Sequence, residues 1–210
     1  MTQRRLFPIL FVVLTACETR SPSPDAARQQ ASLTQSASLR AFIDKTPRVA
    51  HVKVIAATGR AGVVGTAKNE ALFTDLTLQV LAPLRGNGDS LALTTLGGRV
   101  GERAMHVSGQ VALEAGDEAI VFVDPTVALH PFVGGPGGVL PVKDGRVFSY
   151  DGRPLVEVRP EGFVFGRAPD APPAEPALEA HGTAKATRVA APEGPALSVA
   201  EVLAALRALP

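Results

Sequence analysis

The stretch Ala50-His51-Val52-Lys53-Val54-Ile55-Ala56 sets apolar residues at 50, 52, 54 and 56 against His51 and Lys53. Successive side chains on a strand point to opposite faces, so a period of two predicts a half-buried strand from Val49. The segment Leu72 to Ala82 repeats the pattern, with Leu72, Leu76, Leu78 and Val80 on one face and Asp75, Thr77 and Gln79 opposite. A third stretch differs. Behind Gly116-Asp117, the run Ala119-Ile120-Val121-Phe122-Val123 after Glu118 is apolar without a break. It predicts a central strand covered on both faces.

Working outward, turn residues mark where strands end. Gly86-Asn87-Gly88-Asp89 precedes a strand carrying Leu91, Leu93 and Thr95, and Gly97-Gly98 closes it. Beyond the glycine-rich Gly134–Gly138 segment, expected to be a flexible loop, Asp144-Gly145 and Asp151-Gly152 each signal a tight hairpin. Asp-Gly suits a type I′ turn, whose two central residues both need positive φ. Phe163-Val164-Phe165 ends the strand-like region. About five or six strands with long loops favour a small barrel over a sandwich. The expected fold is mostly β: a small antiparallel, OB-like barrel with a short N-terminal helix and a C-terminal amphipathic helix.

The first helix is expected over Ser32 to Asp44, with Leu39, Phe42 and Ile43 on one face, stopping before Pro47. For the last, Ser198 with Glu201 three residues on forms a capping box, and Val199, Val202, Leu203 and Leu206 line one face. That face has to be buried, most simply against the barrel. The expected organisation is a signal segment at 1–16, a disordered tether at 17–31, the β domain at 32–166, a Pro/Ala-rich linker at 167–196 and the helix at 197–210.

Two segments carry a resemblance. Val80-Leu81-Ala82-Pro83-Leu84-Arg85-Gly86 and Gly116-Asp117-Glu118-Ala119-Ile120-Val121-Phe122 are similar to netrin/inhibitor-type OB-like domains. In that family a strand ending in V-x-x-x-x-K-G precedes G-x-x-Y-L-V-F. Here Arg85 stands for the usual Lys, Ala119 for the usual aromatic, and the family's cysteines are missing. The pattern from Gly97-Gly98-Arg99-Val100-Gly101 through Phe122 also resembles secreted bacterial domains of unknown function. These resemblances imply a fold and no activity.

The N-terminus supplies the clearest functional signal. Arg4-Arg5 is followed by an apolar run from Leu6 to Leu14, broken by Pro8. That order is that of a secretory signal peptide. A run of about nine residues is too short to span a bilayer, which takes about 20. Leu14-Thr15-Ala16-Cys17 resembles the lipobox of bacterial lipoproteins. The resemblance implies diacylglyceryl on the thiol of Cys17, cleavage before it and acylation of the new amino group. Two or three acyl chains meet the need of stable anchoring for more than one. Cys17 is the only cysteine, so no disulfide or thiol–metal cluster is available. Glu18, where inner-membrane retention in enteric bacteria favours Asp, implies the outer membrane.

The formal charge is +1, and losing Arg4 and Arg5 leaves 19 basic against 20 acidic residues. Neither value suits a nucleic-acid partner, which calls for clustered excess Lys and Arg. The absence of Trp and the single Tyr argue against an aromatic platform for sugars or bases. No H-E-x-x-H occurs, and His51, His106, His130 and His181 are too far apart for a helical metal pair. No G-x-S-x-G elbow occurs, and neither a Lys-Ser/Thr nor a helix start follows Gly134–Gly138 to cradle phosphate. His51 is expected on a solvated face, and Asp117, Glu118 and Glu157 are read as solvated carboxylates. No catalytic residue, metal ligand or cofactor is assigned. The candidate binding surface is the loop carrying Arg99, Glu102, Arg103 and His106, because loops on rigid scaffolds often carry function. The expected role is a non-enzymatic interaction module on the cell envelope, held to the membrane by lipid and meeting an envelope protein. An enzyme with dispersed catalytic residues and a small-ligand carrier are the alternatives.

Overall fold

In the computed structural model, residues 38–65, 69–167 and 194–210 are described. The signal segment, Cys17, the tether, His181 and most of the linker lie outside them.

The two alternating segments pair as one long hairpin, β1 (Arg48–Val64) with β2 (Asn69–Arg85). At about 3.3 Å per residue, each 17-residue strand runs for about 55 Å. Val52 and Val54 are buried, while His51 and Lys53 are less so, as the alternation requires. Ala56 departs from the expectation. Val54 pairs with Leu78 and Ala56 with Thr77, so Ile55 is an extra residue on β1. This bulge leaves Ile55 52% exposed and passes the core-facing position to Ala57, which pairs with Leu76.

β3 (Ser90–Leu96) continues the sheet on the outer side of β2. On the inner side, β6 (Glu118–Val123) pairs with the first half of β1, followed by β7 (Val139–Lys143) and β8 (Arg146–Val147). The order is β3-β2-β1-β6-β7-β8, antiparallel throughout. Two hairpins stand apart: β4 (Gly98–Val100) with β5 (Arg103–Met105), and β9 (Leu155–Arg159) with β10 (Gly162–Phe165). The fold is mostly β as expected, but among the described residues the sheet is open rather than closed into the expected barrel. Both ends are already occupied. Leu129 bridges to Thr95 on the outer side of β3, and Ser198 bridges to Arg146 on β8.

Ala119 to Val123 are fully buried, and two cores explain why. On one face, Val52, Val54, Leu76, Leu78, Val121 and Val123 are sealed by Val111, Leu113 and Phe132 from the loops. On the other, Val49, Ile120, Phe122 and Leu140 meet two helices, α1 (Leu39–Lys45) and α2 (Val199–Ala208). Phe122 packs at a tilt against Phe42 of α1, 5.3 Å between ring centroids, and edge-on against Phe163 of β10 at 6.0 Å. α1 starts at Leu39 behind an N-cap at Ser38, and α2 carries the capping box read from Ser198 and Glu201.

The turns divide. Asp144 and Gly145 take φ of 49° and 73°, as a type I′ turn demands. At Asp151-Gly152 only Gly152 has positive φ, because a longer turn closes through Ser149 N–H donating to Arg153 O at 2.8 Å. Gly134–Gly138, expected to be a flexible loop, carries a 3-10 helix at Gly135–Gly138 in which Gly138 is buried. A Cβ on Gly138 would lie 1.9 Å from Val133 O.

Gly138→Ala therefore has to move backbone and is expected to cost about 1–3 kcal/mol. Phe122→Ala, which empties the contact shared by β6, α1 and β10, is expected to cost about 3–5 kcal/mol. Urea unfolding followed by circular dichroism measures both.

Candidate functional site

The loop singled out from the sequence is the β4–β5 hairpin. Arg99 pairs with Ala104 and Val100 with Arg103, with the turn at Gly101-Glu102. Cross-strand partners share a face, so Arg99 and Arg103 leave the hairpin on opposite sides. Arg103 Nη2 lies 3.0 Å from Glu70 Oε2, both largely exposed, a pair that adds little stability. His106 is exposed just past β5. Arg99 and Arg103 thus share a hairpin without converging, and His106 follows it.

The hairpin is seated by close backbone contact. A Cβ on Gly59 would lie 1.9 Å from Arg99 O, so only glycine lets β4 lie this close to β1. Thr74 Oγ1 donates to Gly97 O at 2.9 Å, and Leu72 N–H points at Met105 Sδ, 3.3 Å away. Glu70, Leu72, Arg103 and Met105 border an open depression of about 250 Å3. Arg103 is the one predicted residue on its wall.

The register of the long hairpin creates two polar clusters that the sequence reading did not assemble. The first lies where β1 meets β6. Glu118 Oε2 is 3.5 Å from His51 Nε2, and its Oε1 is 3.4 Å from Lys53 Nζ. His51 was expected to be solvated, but only 12% of its side chain is exposed. It sits between Ala82 of β2 and Ile120 of β6 in the pairing, on the face that the helices cover. Burial lowers its pKa below the ordinary 6.5, opposed by the charge and then the hydrogen bonding of Glu118.

The second cluster spans three strands. Thr94 Oγ1 of β3 donates to Asp75 Oδ1 at 2.6 Å, and Arg60 Nε of β1 meets Asp75 Oδ2 at 2.7 Å. The Arg60 guanidinium also stacks 4.7 Å from the centroid of Phe73. The Thr94 hydroxyl foremost holds the Asp75 carboxyl below the usual range; desolvation opposes it, and the hydrogen bond and charge of Arg60 add to the lowering. Thr58 pairs with Asp75, and Arg60 with Phe73, so they share one face. Exposed Thr77, Gln79 and Ala92 stand on this side too.

The remaining sequence candidates have local roles. Asp117 Oδ2 accepts from Glu114 N–H at 2.8 Å, and Glu157 pairs with Arg159 two residues away. Gln110 Nε2 donates to Leu129 O at 2.9 Å and lies 2.7 Å from His130 Nδ1. It so braces Leu129, which holds a φ of 70°. A second depression of about 220 Å3 adjoins Ser149, Tyr150, Asp151 and Arg153. There the Ser149 hydroxyl donates to Asp151 and accepts from Arg153 N–H at 2.9 Å, so it is spent on its own turn. No group of three or more potential metal ligands occurs among the described residues, and no described helix is long and apolar enough to cross a membrane.

Comparison of the chain with family models, curated proteins and solved structures finds no match. The function therefore has to be argued from the residues. The two clusters present fixed donors and acceptors on a rigid sheet, an arrangement suited to recognition. In the second, the Thr94 hydroxyl is bound to a carboxylate that Arg60 also holds.

Because folding depresses the His51 pKa, the unfolded chain binds more protons than the folded one between the folded value and 6.5. Stability then falls as pH drops through that window. Urea midpoints measured from about pH 7.5 to about pH 5 should decline, and His51→Gln should flatten the decline. An equally steep curve in the variant would assign the effect elsewhere.

Proposed function

We propose that the chain is a lipid-anchored protein of the bacterial cell envelope, sorted to the outer membrane, whose β domain acts as a binding or interaction module. The observation that carries the reading is Leu14-Thr15-Ala16-Cys17 behind a charged and then apolar N-terminal segment. Charge, apolar length and a cysteine after small residues occur in the order that export and lipidation require. The β domain adds the polar sheet face around Asp75 and Glu118 and the seated β4–β5 hairpin with Arg99, Arg103 and His106. Its partner on this reading is an envelope protein that meets those fixed charges, as an assembly or inhibitor-type subunit would.

The carrier alternative has less to support it. The two depressions, at about 250 and 220 Å3, fall below the range of about 300–1,000 Å3 typical of small-molecule sites. For the enzyme alternative, the hydroxyls of Thr94 and Ser149 do lie beside carboxylates, but Asp75 and Asp151 are each also paired with an arginine, Arg60 and Arg153.

Cys17→Ser is expected to abolish labelling by radioactive palmitate and move the protein to the soluble fraction. Mass spectrometry of the native product should show acylated Cys17 as the new N-terminus. Residues 1–16 still attached, or an unmodified thiol, would overturn the anchor. The module reading is checked separately by cross-linking in intact cells. One dominant adduct, lost on combined Arg99→Glu and Arg103→Glu, is expected.

A further inference from the structure

The C-terminal residues enter the fold in an unusual way. β8 and β9 follow one another in sequence and start as a hairpin, with a bridge from Phe148 to Pro154. They then splay apart, and Leu197 fills the gap. Its N–H donates to Leu155 O at 2.8 Å on one side, and its carbonyl accepts from Val147 N–H at 2.9 Å on the other. Ser198 bridges antiparallel to Arg146, Val199 N–H donates to Gly145 O at 3.1 Å, and Arg146 Nη1 donates to Ala196 O at 2.8 Å. Residues 194–196, read as the end of the linker, thus lead into an extended segment at Leu197-Ser198 that bridges β8 and hydrogen-bonds to β9.

The helix that follows buries Val202, Leu203 and Leu206, with Leu209 just past its end, against Val147, Leu155, Leu140 and Phe122. Arg40 Nη1 of α1 reaches Leu209 O at 3.3 Å. At ten residues, α2 is shorter than the roughly 12–15 at which even good isolated helices are marginal in water. The groove, more than helix propensity, holds it in place. All of these apolar contacts belong to the helix-side core. The core on the opposite face contains no residue from 194–210. β1, β2, β3, β6 and β7 pair with one another without help from the C-terminal segment.

We infer that residues 194–210 form a clasp, a strand-and-helix ligand carried by the chain itself, which opens as one unit while the sheet and its opposite core stay folded. Sub-global opening of this kind follows element boundaries where contacts are concentrated on one side. The groove between β8 and β9 is a peptide site whose specificity is written in its occupant. It takes an extended apolar residue at 197, a capping box at 198–201 and apolar side chains at 202, 203, 206 and 209.

Two measurements on the full chain test this. In native-state hydrogen exchange, the amides of Val147, Leu197, Val202 and Leu203 should exchange together, at least about tenfold faster than those of Val52 and Val121. In the second, a protease site is placed between residues 168 and 193 and cut. The 194–210 fragment should stay bound through gel filtration, and a labelled synthetic peptide of residues 194–210 should exchange into the cut protein. The same peptide with Leu203→Asp should bind at least about tenfold more weakly. Equal exchange rates for the clasp and β6, loss of the β spectrum when the fragment leaves, or failure of the labelled peptide to enter would each overturn the clasp.

Discussion

Covering β6 twice is the constraint from which the rest of the architecture follows. Ala119, Val121 and Val123 point one way, while Ile120 and Phe122 point the other, and all five are fully buried. Such a strand has no solvent side, so the chain must supply two layers of apolar surface. One comes from loops carrying Val111, Leu113 and Phe132, and the other from both helices. At about 25 cal/mol per Å2 of apolar surface, burying each large side chain is worth about 1.5–3 kcal/mol. That is the main favourable term in a domain with few aromatic residues. It also explains why segments far apart in sequence, α1 at Leu39 and α2 at Leu206, meet on one face.

Much of this was legible in the sequence because it is local. The alternation in β1 and β2, the unbroken run of β6, the Asp144-Gly145 turn and the capping box at Ser198 each depend on residues within a few positions of one another. What was missed depends on distant partners. The second half of β1, from Ala57 to Val64, contains Gly59, Arg60 and Gly62, which dilute any strand signal. It is extended because β2 pairs with it and because Gly59 makes room for β4. The bulge at Ile55 likewise shows only when β1 is set against β2. Closure of a sheet is still less local. Among the described residues the sheet stays open, and Leu129 and Ser198, from remote parts of the chain, each bridge to one of its edge strands.

The candidate site divides in the same way. Arg99 and Arg103 were found by proximity in sequence, yet the two-stranded ribbon sends them to opposite faces, so proximity did not become convergence. Arg60, Asp75 and Thr94 are widely separated in sequence and meet through register alone. His51 with Glu118 is a similar case. A signal did exist for these pairs. Once β1, β2 and β3 are aligned by their apolar faces, the polar residues on the reverse side fall opposite one another.

The molecule therefore has two halves with different physical character. Around Ala119–Val123 and β7, both faces are sealed, and the polar groups gather at the Glu118 end of β6 with His51 and Lys53. Toward β3 and the far end of the β1–β2 ribbon, only one face is sealed, and the other carries Arg60, Asp75, Thr77, Gln79 and Thr94. A binding surface needs side chains that are exposed and yet held still, which calls for a rigid backing on one side alone. The second half meets that requirement, because Leu76, Leu78, Leu91 and Leu93 fix the strands from beneath while the upper face stays open. Under the proposed function, stability and recognition are then separated along the sheet. A substitution at Thr77 or Gln79 can alter what is bound without touching the apolar contacts that keep the sheet together.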